Sequence, residues 1–457
     1  MQSIDRPQYL ECLTSLRDNG RAKVITGIRR CGKSFLLMRL YRQRLLDDGI
    51  GEEQIVEISL DEAHHARQRN PLELDAYVRG RVSDRSRRHY VLIDEIQLSS
   101  VERNPYTSDP NDVVTFADAV LGLLRLPNVD LYVVDSTTEL GAKGLMSQLG
   151  DHADEVRLRP LGFAEYLPAC GDGAHALRDY LTFGGMPRVL AEQGIDAKAR
   201  YLESLLTGVY LRDVLARNSV RGGRETIEAL LGLVAASAGS PTNAYRLATQ
   251  LKDDHRIAVG HTTVDTYLGY LADELVIDRV GRLDVKRGKR LKTPSKYFFA
   301  DVGLRNALLG RGPLDEDAAV QSVVYGELVR RGLDVSVGVV PFSTWVEEEA
   351  PERRKKDKKG KRDKKGKPAE RARRKVTGQL EVDFVASSPG QRLYVQVARD
   401  GDAARGYERV GEPLRRISDS FRKVVVVRGD VVPWHDAQGV LFVGLEQFLL
   451  DERAIGW

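Results

Sequence analysis

Residues 22–41 read AKVITGIRRCGKSFLLMRLY, and the eight in the middle, Gly27-Ile28-Arg29-Arg30-Cys31-Gly32-Lys33-Ser34, follow the pattern G-x-x-x-x-G-K-[ST]. A β-branched run precedes them and a helix-spaced apolar run follows, beginning with Phe35. In that context the glycines let the backbone curl so that successive N–H groups face phosphate oxygens, and the start of the helix adds its positive dipole end. Lys33 is then expected to reach the β- and γ-phosphates of ATP and Ser34 to hold Mg²⁺. Cys31 beside the lysine reads as an inert loop residue rather than a redox group.

Working outward, Val91-Leu92-Ile93-Asp94-Glu95 is an apolar strand that ends in two carboxylates, and Asp94 lies 61 residues after Lys33. Ligands of open α/β sheets sit at the carboxyl ends of the strands. Asp94 is therefore expected on Mg²⁺ and Glu95 on the attacking water. A third run, LYVVD, ends in Ser136-Thr137-Thr138. Thr137 there can contact the γ-phosphate, with a hydroxyl helix N-cap as the equal alternative. Short strands (AKVITGI, QIVEISL, HYVLIDEI, VDLYVVDS) alternate with helical stretches, among them one with Phe116, Val120, Leu123 and Leu124 on one face. The fold class expected is α/β, a parallel sheet with helices on both faces.

The chain has 457 residues, 42% hydrophobic, a formal net charge of +4 and three cysteines. That length suits roughly two to four domains. The hydrophobic share excludes wholesale disorder, and no run approaches the ~20 apolar residues of a membrane span. Isolated cysteines imply a reducing, cytoplasmic setting. The charge is uneven: residues 353–375 hold fifteen Lys/Arg against three Asp/Glu. A DNA contact must be argued from where such charge sits, not from the total.

From Gly162 to about Asn218 the pattern is helical. Beyond it, Ile227, Leu230, Leu231 and Val234 share a face, as do Val264, Tyr267, Leu268 and Leu271 behind a capping box of Thr262 and Asp265. Two strands around KRGKR follow, the order of a winged helix. Lys286, Arg287, Lys289, Arg290, Lys292 and Lys296 put cations on that wing; the first four are the candidates for contact with DNA, against intramolecular packing. From Gly312 a smaller α/β unit begins, with ERVGEPLRRISDSF read as a helix.

The motifs GIRRCGKS, LIDEIQ, YLTFGGMP, VYLRDV, TPSKYFFADVGLRNAL, LEVDFVA and LYVQVA occur in this order. Through them the chain, from about Asp5 to Leu450, resembles prokaryotic AAA-type ATP-binding proteins with a C-terminal domain of unknown function. The resemblance implies an AAA+/STAND-like P-loop NTPase core (1–160), a helical lid (161–220), a winged-helix segment (221–311) and a PD-(D/E)xK-nuclease-like domain (312–457) with a basic insert at 347–377. It also implies that Thr137 stands where an asparagine is usual, and that 149–155 lacks the arginines usual there; Arg212 is the candidate substitute. Glu327, Asp383 and Gln396 fall on the nuclease positions, with Ala398 at the lysine. A neutral amide and a methyl group supply neither metal charge nor base, so a relic site is expected. The function expected is an ATP-Mg²⁺-dependent switch ATPase that controls contact with DNA or a partner protein, with homo-oligomers compatible. The alternatives are an ATP-dependent nucleic-acid enzyme with a working nuclease, and a binding module with a degenerate ATPase.

Overall fold

The computed structural model describes all residues except 1–2, 136–143, 172, 219, 221–222, 311, 348–372, 400–401, 403–406, 408 and 456–457. It divides into two compact units. The first comprises Met1–Val280, Pro294–Leu333 and Leu445–Trp457; the second comprises Gly281–Thr293 and Asp334–Gly444.

In the first unit, strands β1 (Ala22–Thr26), β2 (Ile55–Ser59), β3 (His89–Asp94), β4 (Val129–Val134) and β5 (Ala153–Arg157) form a sheet in the order β2-β3-β4-β1-β5. Every pairing is parallel. Alternate residues feed two cores. Ile25, Leu92, Tyr132 and Val134 pack on one face with Leu36, Leu37 and Tyr41. Val24, Val91, Ile93, Leu131 and Val133 pack on the other with Val120 and Leu123. A parallel sheet covered on both sides needs such near-continuous apolar strands. Phe116, Val120 and Leu123 are buried as the spacing predicts, while Leu124 is only partly covered.

Beyond β5 the chain is helical. The segment 195–217 is one rod that widens to π spacing over Leu206–Tyr210. Helices Arg224–Ala236, Ala244–His255 and His261–Asp273 follow. Ile227, Leu230, Leu231 and Val234 are buried together, as are Val264, Leu268 and Leu271. The Thr262–Asp265 capping box does not form. The helix already begins at His261 after Gly260, and the Asp265 carboxylate pairs with Arg279 at 3.2 Å. Asp301 caps the helix Val302–Leu309, accepting from the amides of Gly303 (2.9 Å) and Leu304 (3.3 Å), and also from Gly185 (2.6 Å). This explains the GGMP turn: a Cβ on Gly184 would lie 2.0 Å from Asp301 Oδ1, and one on Gly185 2.1 Å from the Leu161 carbonyl oxygen.

The second unit is built on a sheet. Its strands are β6 (Ile277–Asp284) and β7 (Lys289–Phe299), which enter it at their hairpin end, then β8 (Asp334–Glu347), β9 (Arg373–Ser388), β10 (Gln391–Val397), β11 (Arg422–Val427), β12 (Trp434–His435) and β13 (Leu441–Gly444). The order is β12-β13-β11-β10-β9-β8-β6-β7. Val382, Val385, Tyr394, Val425, Phe442 and Leu414 share its core. The stretch expected as a helix around Leu414 is helical only over Glu412–Arg415. Pro413 suits the first turn, but the Lys423 ammonium takes the Ile417 and Asp419 carbonyls soon after, which stops propagation.

Candidate nucleotide-binding site

Strand β1 delivers the chain into the loop 27–32, and a helix starts at Lys33. Two glycines are required here. Gly27 has φ 146°, and a Cβ on it would lie 2.2 Å from the Leu158 carbonyl oxygen. Gly32, at φ 105°, is the residue from which the helix departs. Cys31 is fully buried, its thiol directed at the Leu158 carbonyl at 3.6 Å. Lys33 is buried too. Its ammonium donates to the carbonyls of Gly27 (2.7 Å) and Ile28 (3.2 Å), so the loop closes around its own lysine.

Strand β3 brings the acidic pair to the same end of the sheet. Asp94 is buried, accepts from the Glu95 amide at 2.8 Å and has the Ser34 hydroxyl beside it. Burial pushes its carboxyl above the usual carboxylate range, and the Ser34 hydroxyl and the Glu95 amide oppose that rise. Glu95 is raised as well, first by burial and then by the charge of Asp94. Glu95 holds a left-handed backbone, φ 57°, and its carboxylate receives the Gln97 side-chain amide. Left-handed geometry at a non-glycine residue is uncommon and marks a position held by its surroundings.

Arg29, Arg30, Gly32, Lys33, Ser34, Phe35, Glu95, Val209 and Arg212 line one cleft of about 520 Å³. Of the residues read from the loop and the strand end, Gly27, Ile28, Cys31 and Asp94 are not part of that lining. Thr137 lies outside the described residues. Three contributors were not foreseen. Gln97 positions Glu95. Asp213 pairs with Arg29 at 2.7 Å, and the Tyr210 hydroxyl donates to the Arg29 carbonyl at 2.8 Å, so the rod 195–217 is tied to the loop. Gln97 was visible as the last letter of LIDEIQ; Tyr210 and Asp213 were visible only as VYLRDV. The donors gathered here, a hydroxyl and carboxylates, are the hard oxygen ligands that Mg²⁺ takes.

The other candidates fare differently. Glu327 belongs to the first unit, where its buried carboxylate pairs with Arg330 (2.7 Å) and Arg331 (2.6 Å). Asp383 and Gln396 belong to the second. Asp383 is buried and accepts from the Val397 amide at 3.0 Å, while the Gln396 side-chain oxygen accepts from the Asp383 amide at 3.2 Å. Lys286, Arg287, Lys289 and Lys292 are exposed on the β6–β7 hairpin. Arg290 is exposed and paired with Asp334 at 2.6 Å. Lys296 is fully buried in the first unit, so it is no part of that surface.

A parallel five-stranded sheet with this loop after β1 and this acidic end on β3 defines an α/β domain of the P-loop NTPase type. Residues 19–167 match the family model described as an AAA domain, so the chain carries an AAA-type ATP-binding domain. Residues 174–315 match a model described as a domain of unknown function. An uncharacterized protein of Haemophilus influenzae is 26% identical over 431 residues, 93% of each chain. An uncharacterized protein of Methanocaldococcus jannaschii is 23% identical over 329 residues, 68% of this chain and 67% of its own. Among solved structures, the Walker-type ATPase of Pyrococcus abyssi is similar at a TM-score of 0.45 and 14% identity, over 67% of this chain and 96% of that one. No helix among the described residues is long and apolar enough to cross a membrane.

Proposed function

We propose that the protein is an ATP-Mg²⁺-dependent switch ATPase whose nucleotide state controls contact with DNA or a partner protein. One observation carries this reading: the loop lysine, the Ser34 hydroxyl beside Asp94, and Glu95 come together at one open cleft. Residues 27–35 hold the triphosphate, with Thr137 as a further contact. Ser34 and Asp94 hold Mg²⁺, which when bound neutralises charge on the phosphate oxygens. Glu95, its pKa raised by burial and by Asp94, accepts a proton from the attacking water, and Gln97 fixes its carboxylate. Arg212 lines the cleft with its side chain 67% exposed and 3.9 Å from Asp213, and supplies a cation toward the γ-phosphate.

The Arg29–Asp213 pair and the Tyr210 bond support the switch. A phosphate drawn into the loop competes with Asp213 for Arg29, and so changes how the helical segment is held. The segments 161–220, 221–311 and 312–457 then act as lid, winged helix and nuclease-derived binding module. Gln396 and Ala398 give that module neither a metal charge nor a base, so cleavage is no part of the reading.

The test is nucleotide affinity and turnover of the full chain. Lys33→Ala is expected to weaken ATP binding at least about 100-fold, and Glu95→Gln to keep binding while turnover falls about 100-fold or more. Wild-type affinity in Lys33→Ala sinks the loop assignment; wild-type turnover in Glu95→Gln sinks the role of Glu95.

A further inference from the structure

Strands β8 and β9 are longer than the sheet they belong to. They pair with each other from Asp334↔Ser387 out to Glu347↔Arg373. Their other neighbours stop early: β6 pairs with β8 only at Val337–Val339, and β10 pairs with β9 only at Phe384–Ser388. Residues 341–347 and 373–379 therefore have no other strand partner among the described residues. Pro341, Ser343, Thr344, Trp345, Lys375, Val376, Thr377 and Gln379 are exposed. This is a two-stranded ribbon, braced at its base by Phe342. That ring lies across Gly378, where a Cβ would meet it at 2.7 Å, and under the Arg416 guanidinium at 4.8 Å.

The parallel register of β6 and β8 sets what stands beside the ribbon. Asp284 pairs with Val339, and the Val285 amide donates to the Val339 carbonyl at 3.0 Å. Both strands run outward in the same direction. The hairpin turn with Lys286 and Arg287 thus leaves the sheet at the end from which the ribbon continues. Residues 281–293 hold six Lys/Arg against Asp284 alone. Further out, Trp345, 64% exposed, is paired across the ribbon with Lys375. Trp345 lies six residues beyond Val339, about 20 Å at ~3.3 Å per residue.

We propose that the ribbon tip at Trp345 and Lys375, together with the Lys286–Arg287 turn, is a docking surface for the phosphate backbone of a nucleic-acid duplex, with the ribbon laid in the major groove. A two-stranded ribbon is one of the elements that groove admits. The two cationic stations then meet phosphates beside that groove. An exposed tryptophan between cations gains by covering a sugar edge while lysine neutralises the neighbouring phosphate. The inference rests on the proposed DNA contact and is independent of the nucleotide site.

The test is fluorescence anisotropy of a labelled 20-base-pair duplex with the full chain, without nucleotide, across a salt series. Lys375→Gln is expected to weaken binding several-fold and to flatten the salt slope by about one. Trp345→Ser is expected to weaken it about three-fold or more with the slope unchanged, and Trp345→Phe to restore it. Both sites are exposed, and unchanged ATP affinity verifies folding. If Lys286→Gln/Arg287→Gln weakens binding but neither ribbon variant does, the ribbon assignment fails and the DNA reading stands. If the wild-type chain binds no duplex, both fail. Tighter binding of single strands, or equal competition by polyglutamate, also overturns the groove assignment.

Discussion

Asp94 and Asp301 are both buried aspartates of the first unit, and they are satisfied in different ways. Asp301 accepts three backbone amides, from Gly185, Gly303 and Leu304, and caps a helix. Asp94 accepts one amide, has the Ser34 hydroxyl beside it, and has Glu95 as its neighbour in charge. Burial raises both. The first is a finished structural joint, closed by glycines that admit no Cβ. The second is a like-charge pair at the mouth of a cleft, and its lysine is turned to loop carbonyls rather than to the acids. A carboxyl pair left in that state is relieved by a divalent cation, whereas the Asp301 joint gains nothing from one.

The largest effect that tests this contrast is expected at Asp301. Asp301→Ala leaves three buried amides without their acceptor and removes an N-cap, a loss of about 2–4 kcal/mol. The penalty is pH-dependent. Burial, opposed by the three amides, puts the Asp301 pKa at about 6 in the folded chain. A carboxyl raised on folding stabilises fully below its unfolded value near 4, and that contribution is lost as pH rises through about 6. Denaturant melts of both proteins should therefore show the Ala penalty greatest near pH 4 and shrinking toward pH 7. A penalty that grows across that window would mean that the joint depends on the ionised form.

The two acidic sites were also unequally legible. Asp94, Glu95 and the loop could be read because their chemistry is contiguous: eight residues make the loop and five make the acidic strand end. Asp301 could not be assigned a role, because its partner Gly185 is 116 residues away, and only the fold brings GGMP onto FADVG. The same holds for Asp213 on Arg29. Lys23 sits inside the β-branched run that reads as a buried strand, and it is tolerated there because Asp130 meets it from β4, again a contact at long range. Lys296 shows the opposite failure. Lysines on a hairpin look alike in sequence, but the strand carrying Lys296 leaves the exposed turn and enters the first unit's core beside Tyr297 and Phe299.

A smaller effect, of opposite sign, is expected at Asp94. Asn keeps an oxygen for the Glu95 amide and removes the like charge that raises Glu95. Asp94→Asn should then stabilise the nucleotide-free protein at neutral pH, because the like charge that disfavours ionised Glu95 is removed. The gain should vanish in acid, where Asp94 in the wild type is itself protonated. The same variant should lose the additional rise in melting temperature that Mg²⁺ gives over ATP alone, because the carboxylate that holds the cation is gone. Thermal melts with no ligand, with ATP and with ATP-Mg²⁺ separate these effects. If Asp94→Asn instead destabilises the ligand-free protein by more than about 2 kcal/mol, then Asp94 is a joint of the Asp301 kind, and the cleft loses its candidate for the metal.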